Sequence, residues 1–180
     1  DAAARIVGPW LILRLRSGWN VDGRSYPAGA LIAAKAGEFL DGERTFEVLF
    51  EPTPRTALQN WSATRNAIVL DVLDNVRSRI WVVTPTDNTW RRQEVALPSL
   101  GAASARPVDR YDSDQVFITY QDFLTPPTLF LGAARQPVEK LKSMPAFFDA
   151  SRMTVQQPEA KSRDGTSVPY FVVGSPGVKN

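Results

Sequence analysis

The sequence predicts an all-β chain made of repeated, similar sheets, and three observations predict it. The 180 residues are punctuated by 14 Pro and 11 Gly. Between these breaks lie short runs rich in β-branched and aromatic residues, which suit a pleated strand. Those runs recur at a nearly constant spacing.

The runs fall into three units. "WLILRLR" from Trp10, "AIVLDVL" from Ala67 and "QVFITYQ" from Gln115 each lead through a loop to a second apolar run. The second runs are "GALIAAK" from Gly29, "RIWVVT" from Arg79 and "TLFLGA" from Thr128, 50 and 49 residues apart. Third runs begin at Thr45 ("TFEVLFE"), Trp90 ("WRRQEVAL") and Val138 ("VEKLKS"), with offsets of 45 and 48. A further candidate strand precedes units two and three, "ALQNWSA" from Ala57 and "SARPVDR" from Ser104, 47 residues apart. Four short strands every ~40–50 residues is the period of a β-propeller blade. A lone four-stranded sheet cannot bury both faces, so successive sheets stack around an axis.

Face patterning supports the elements. Phe46, Val48 and Phe50 alternate with Glu47 and Glu51, as on a half-exposed outer strand. "IVL" and "WVV" are apolar on both faces, which suits middle strands between two sheets. Trp61 to Thr84 also allows one long helix, because it lacks Gly and Pro and places Ile68, Val72, Val76 and Ile80 every fourth residue. Strands are the better reading, since nine of the 18 residues from Ala67 to Thr84 are β-branched or Trp and Asp74-Asn75 supplies a turn. Unit one lacks a convincing innermost strand, because "DAAARIV" is short and alanine-rich. The expectation is a partial β-propeller of about three four-stranded antiparallel blades, at residues 1–56, 57–103 and 104–152, the first of them incomplete. Three blades fall short of the roughly 4–8 of a closed ring, so apolar faces are expected to lie open at both ends of the stack.

Composition narrows function. Hydrophobic residues make up 43% and charged residues 22%, ordinary values for a globular domain. A net charge of +2, evenly spread, gives no basis for a nucleic-acid partner. No apolar run approaches the roughly 18 residues of a membrane span, and no signal peptide is visible. The absence of His rules out a Ser-His-Asp triad, a Cys-His dyad or an imidazole metal site within these residues. The absence of Cys rules out disulfides and thiolate chemistry and leaves the compartment undetermined, cytoplasm and periplasm alike. No G-x-S-x-G, S-x-x-K, G-x-G-x-x-G or P-loop occurs.

Several residues still invite a chemical reading. Asp112 with Asp114, then Asp71 with Asp74, are the candidate carboxylate pairs for a propeller glycosidase, although "DSD" also makes an ordinary polar turn. Trp10, Trp19, Trp61, Trp81 and Trp90 could form a sugar-stacking platform, but Trp10 and Trp81 lie in apolar runs where packing explains them, and Trp19 and Trp90 flank loops. Pro126-Pro127 stiffens a crossover between strands. Asn60-Trp61-Ser62 matches a glycosylation sequon on an inner strand. Arg77 and Arg79 are expected to form solvated pairs with Asp74. No catalytic residue, cofactor site or metal site is assigned.

Four stretches, taken in order, resemble the prolyl oligopeptidase family of serine peptidases, in the second half of its seven-bladed propeller. "WLILRLRSGWNVDGRSYPAGALIA" with "VLFEPTPRTAL" is similar to one blade of a bacterial branch, and "VLDNVRSRIWVVTP" to the strand-turn-strand of the next. "VFITYQDFLTPPTLFL" resembles the last blade, with Gln121-Asp122-Phe123 standing where Ser-Ser-Phe or Thr-Ser-Phe is common. "FDASRMTVQQPEAKSRDGTSVPYFVV" resembles the passage from propeller to catalytic domain, where Ser162-x-Asp164-Gly165-Thr166-x-Val168-Pro169 opens an α/β-hydrolase.

The resemblance implies that residues 153–180 are a linker and the start of a hydrolase domain whose catalytic residues lie beyond this chain. It implies a lid that admits short peptides to a catalytic domain in cis and performs no chemistry itself. The alternative is a stand-alone propeller module that binds a protein or glycan. Open blade edges further predict a homodimer or swapped assembly.

Overall fold

A computed structural model of the chain describes residues 1–87, 89–98, 100–133 and 136–176. β1 (Ala2–Val7) and β2 (Trp10–Leu15) are followed by a small hairpin of β3 (Trp19–Val21) and β4 (Arg24–Tyr26). β5 (Leu31–Lys35), the short helix α1 (Ala36–Leu40) and β6 (Glu47–Phe50) complete a first sheet of order β1-β2-β5-β6. The second sheet takes β7 (Thr56–Ala63), β8 (Ile68–Asp74), β9 (Arg77–Pro85) and β10 (Trp90–Glu94) in sequence order. The third does the same with β11 (Ala102–Pro107), β12 (Gln115–Gln121), β13 (Thr128–Ala133) and β14 (Glu139–Ser143). Two short ladders follow: β15 (Thr154–Gln156) pairs with β18 (Val172–Gly174), and β16 (Glu159–Lys161) with β17 (Ser167–Pro169). All pairings are antiparallel, and the architecture is the partial propeller that the repeat predicts.

The Trp61–Thr84 stretch is strand, not helix. β8 and β9 are joined by Asn75 and Val76, both left-handed at φ 48° and 64°. The first blade is complete, contrary to expectation. β1 pairs with β2 from Ala2↔Leu15 through Val7↔Trp10, because an edge strand is held by its backbone ladder and alanine's weak strand preference is overridden there.

The sheets pack face to face. Ile12, Leu31, Leu49 and Phe50 of the first meet Leu58, Ile68, Leu70, Val72 and Val83 of the second. Val69 and Ile80, on the opposite face of the second sheet, meet Ala105, Val116, Ile118 and Tyr120 of the third. β8 is thus covered on both sides, which is why "IVL" shows no polar alternation. Each aliphatic side chain so buried contributes about 1.5–3 kcal/mol.

Two further expectations need correction. The outward face of the first sheet is covered by its own insertions: Leu11, Leu13, Leu15 and Ile32 lie beneath Tyr26, Phe46, Trp19 and Phe39. The covering hairpin turns tightly at Asp22 and Gly23, both at positive φ (47° and 75°), a geometry that glycine adopts without strain. The outward face of the third sheet carries half-buried Phe117 and Leu131 beside exposed Gln115 and Thr119. In β6 the simple alternation fails, since Phe46 and Val48 join the outward cluster whereas Leu49 and Phe50 both enter the inter-sheet core. A bulge causes this: Ile32 pairs with Val48 and Leu31 with Phe50, and the extra residue resets the phase.

Near its C-terminal end the chain breaks between β17 and β18 at Tyr170 and Phe171. Pro169 cannot donate to a ladder, and the Tyr170 N–H instead reaches the Pro158 carbonyl at 3.0 Å.

Candidate functional site

Neighbouring strands of a meander run in opposite directions, so its turns sort to two ends. The β8–β9 turn, the β12–β13 loop and the connectors between sheets lie at one end. The turns from first to second strand lie at the other. The C-terminal segment comes back to the first end and makes its contacts there.

The β12–β13 loop, residues 122–127, is built around Asp122. Its carboxylate accepts from the Leu124 N–H at 2.8 Å, the Thr125 N–H at 2.6 Å and the Thr125 hydroxyl at 3.0 Å. The Tyr120 hydroxyl donates to the same group at 2.7 Å. Burial on its own would raise this carboxyl, but these donors hold it below the usual carboxylate range. Burial first, then the bond to Asp122, pushes the Tyr120 phenol up. Below the Tyr120 ring lies Gly101, where an added Cβ would fall 2.5 Å from the ring and from the Gln121 carbonyl. Asp122 therefore places a carboxylate at the loop's hydrogen-bonding centre. An Asp two and three residues before its partner amides is a turn signal that sequence reading passed over.

Pro126 and Pro127 complete the crossover, and Thr128 closes it by donating to the Pro126 carbonyl at 2.8 Å. The loop presents Phe123 to Phe171 of the C-terminal segment, ring centroids 5.1 Å apart. With Val76, Leu100, Phe147 and Phe148 these rings line a cleft of about 500 Å³. Phe147 is 82% exposed and Phe123 50%, an apolar concentration at one end of the molecule.

Beside it, a polar cluster ties the β8–β9 turn to the same segment. The Arg77 guanidinium donates to Gln157, whose amide donates onward to the Asn75 carbonyl at 2.9 Å. The Asn75 amide reaches Glu159 at 3.3 Å, and Arg55 lies 3.9 Å from that carboxylate. Arg77 does not pair with Asp74, because Gln157 is within its reach. Arg79 takes the expected role alone, bridging Asp74 at 2.8 Å and Glu94 at 2.6 Å.

The candidate carboxylate pairs do not converge. Asp114 is saturated: Thr64 Oγ1, the Asn66 N–H and Asn66 Nδ2 all donate to it at 2.7 Å. Burial would raise its carboxyl, but those bonds hold it low, and the group clasps the β7–β8 turn to the β11–β12 loop. Asp112 is exposed, its N–H bonded to Asp109. Asp71 and Asp74 point to opposite faces of β8. Asp71 is buried between the second and third sheets, accepts among the described residues from the Ala105 N–H alone, at 3.2 Å, and is pushed up to about 6 by that burial.

All five Trp pack on cores, Trp19 in the outward cluster and the others between the first two sheets. Asn60 is exposed on β7. Among the described residues no three His, Cys, Asp or Glu are gathered as metal ligands, and no helix is long and apolar enough to cross a membrane.

A profile described as the prolyl oligopeptidase N-terminal β-propeller domain matches residues 20–141, most of the chain. The chain belongs to the prolyl oligopeptidase family. Among family relatives, an uncharacterized peptidase of Sinorhizobium fredii is 37% identical over 169 residues, 92% of this chain and 23% of the relative. Another, from Rickettsia prowazekii, is 27% identical over 94% of this chain and 24% of its own. The chain thus spans about a quarter of the length of the curated relatives it matches. A post-proline cleaving enzyme from Rickettsia typhi superposes with a TM-score of 0.79 at 24% identity, covering 99% of this chain and 26% of that one. Oligopeptidase B from Trypanosoma brucei superposes at 0.72 with 17% identity, over 99% and 26%. At these identities the superpositions establish the fold.

Proposed function

We propose that this propeller sector is a lid for a serine peptidase of the prolyl oligopeptidase family, itself without catalytic activity. In this reading residues 1–152 form three blades, with boundaries near 56 and 103, and residues 153–180 lead into an α/β-hydrolase domain in cis. Short peptides are the substrates of the whole protein, and the blades exclude folded ones. The lid acts through steric selection and exclusion of water.

One observation carries the reading. The Phe123–Phe171 contact and the Arg77–Gln157 and Asn75–Glu159 bonds hold the C-terminal segment to one end of the blades. A domain continuing from that segment would sit over the exposed rings of Phe147 and Phe148. The lack of His supports a non-catalytic role, because no general base of the triad type is available in the chain.

A proline-containing chromogenic peptide tests both halves. The 180-residue chain should leave it intact, and the longer protein should cleave it. Hydrolysis by the chain alone, or a longer protein inert toward such peptides, overturns the proposal.

A further inference from the structure

A cleft of about 720 Å³ opens at the end away from the C-terminal segment, where edge strands of all three sheets meet. β1 supplies Arg5, β7 and the turn after it supply Ser62 and Arg65, and the β11–β12 loop supplies Arg110 and Tyr111. The rest of the wall is small or apolar, as at Ile6 and Pro107. Three arginines, one from each sheet, thus converge on the concave side of the stack, and among the described residues no Asp or Glu lines it.

The three differ from their fellows. Arg16, Arg55 and Arg79 each reach a carboxylate at 3.9 Å or less. Among the described residues Arg5, Arg65 and Arg110 form no ion pair. Aromatic rings hold two of them instead. The Arg5 guanidinium lies 4.8 Å from the Trp61 ring centroid, and that of Arg110 lies 4.4 Å from the Tyr111 ring and donates to its hydroxyl. The nearby acids are engaged or turned away. Asp114 spends its oxygens on Thr64 and Asn66, Asp109 accepts from the Tyr111 and Asp112 N–H groups, and exposed Asp112 does not line the cleft. The result is a concave site with three guanidinium groups and no counter-ion.

We propose that this cleft binds a small anion built of linked phosphates, free or carried as an ester, whose oxygens accept from Arg5, Arg65 and Arg110. A guanidinium offers a planar fork of N–H donors that matches phosphate oxygens, and such charge-assisted bonds are about twice as strong as neutral ones. Low-dielectric walls around like charges focus their field into the cleft. The volume exceeds what one tetrahedral oxyanion fills, whereas a short phosphate chain carries several charges spaced along it. A single carboxylate would answer only one of the three cations. The site lies opposite the end where a following domain would dock, so it stands or falls separately from the lid reading.

Calorimetric titration of the 180-residue chain at low salt tests this, with tripolyphosphate as the probe. ATP presents the same three phosphates on a nucleoside, and hexaglutamate presents comparable charge on carboxylates. Tripolyphosphate should bind saturably, one per chain, ATP should bind with similar affinity, and hexaglutamate should bind at least about 10-fold more weakly. Arg65→Gln and Arg110→Gln each remove one exposed cation and should weaken tripolyphosphate binding about 10-fold, with melting temperatures unchanged. Arg16→Gln, the same charge change at the opposite end, should bind as the parent does. Absence of saturable tripolyphosphate binding, binding of ATP alone, or equal binding of hexaglutamate overturns the site. So does undiminished binding by a folded Arg65→Gln or Arg110→Gln chain, or an equal loss in Arg16→Gln. Should one variant not fold, the other decides together with the comparison of tripolyphosphate and hexaglutamate.

Discussion

Replacing Asp71 by Asn should stabilise the chain at neutral pH and do progressively less as the pH falls. The Asp71 side chain is buried between two sheets with a single backbone donor, and its carboxyl is raised from 3.8 to about 6, chiefly by burial. A raised carboxyl means that the folded state holds the proton more tightly than the unfolded state. Stability is therefore full below pH ~4 and declines as the pH climbs through 6. The shift corresponds to about 3 kcal/mol at pH 7.5 and about 1 kcal/mol at pH 4.5. Asn keeps an acceptor for the Ala105 N–H and has no charge to desolvate. Urea unfolding of both proteins measures the difference: the midpoints should separate by roughly 1–2 M at pH 7.5 and approach each other at pH 4.5. A gap independent of pH, or a destabilised Asp71→Asn chain at pH 7.5, would refute the assignment of this carboxyl as a desolvated group.

Three other substitutions probe the scaffold by thermal or urea unfolding. Gly101→Ala forces a Cβ to 2.5 Å from the Gln121 carbonyl and the Tyr120 ring, and should cost about 1–3 kcal/mol; an unchanged midpoint contradicts the packing. Asp114→Ala strands the Thr64 and Asn66 donors that clasp two blades, with an expected loss of about 1–3 kcal/mol. Leu70→Ala empties a position with no exposed surface at the centre of the first inter-sheet core, and should cost about 2–5 kcal/mol.

The repeat was legible because a middle strand buried on both faces, such as β8, must be written in unbroken apolar residues. The loops were legible where Pro and Gly fix the backbone, as at Pro126-Pro127 and Asp164-Gly165. What escaped has local causes. The β3–β4 hairpin and α1, which cover the first sheet, have strands of three residues and a helix of five, too short for any period to register. The bulge opposite Leu31 is a choice of register, and Leu49 looks like any other strand residue. The incomplete first blade was inferred from alanine's propensity, which the β1–β2 ladder overrides. Asp122 was read as a departure from a pattern, and its function as an acceptor appears only once Tyr120 and Thr125 are brought to it. The pair Asp71 and Asp74 failed for a simpler reason: the two residues differ by an odd number along a strand and face opposite ways, whereas Asp114 is taken up by Thr64 and Asn66.

The account's central claim is that these blades select substrates by size for a catalytic domain on the same chain. The most direct measurement is kcat/KM of the longer protein for proline-containing peptides of increasing length, alongside a folded proline-rich protein. The account predicts efficient cleavage of the short peptides, a fall with length and no cleavage of the folded protein. Equal rates across the series would contradict it.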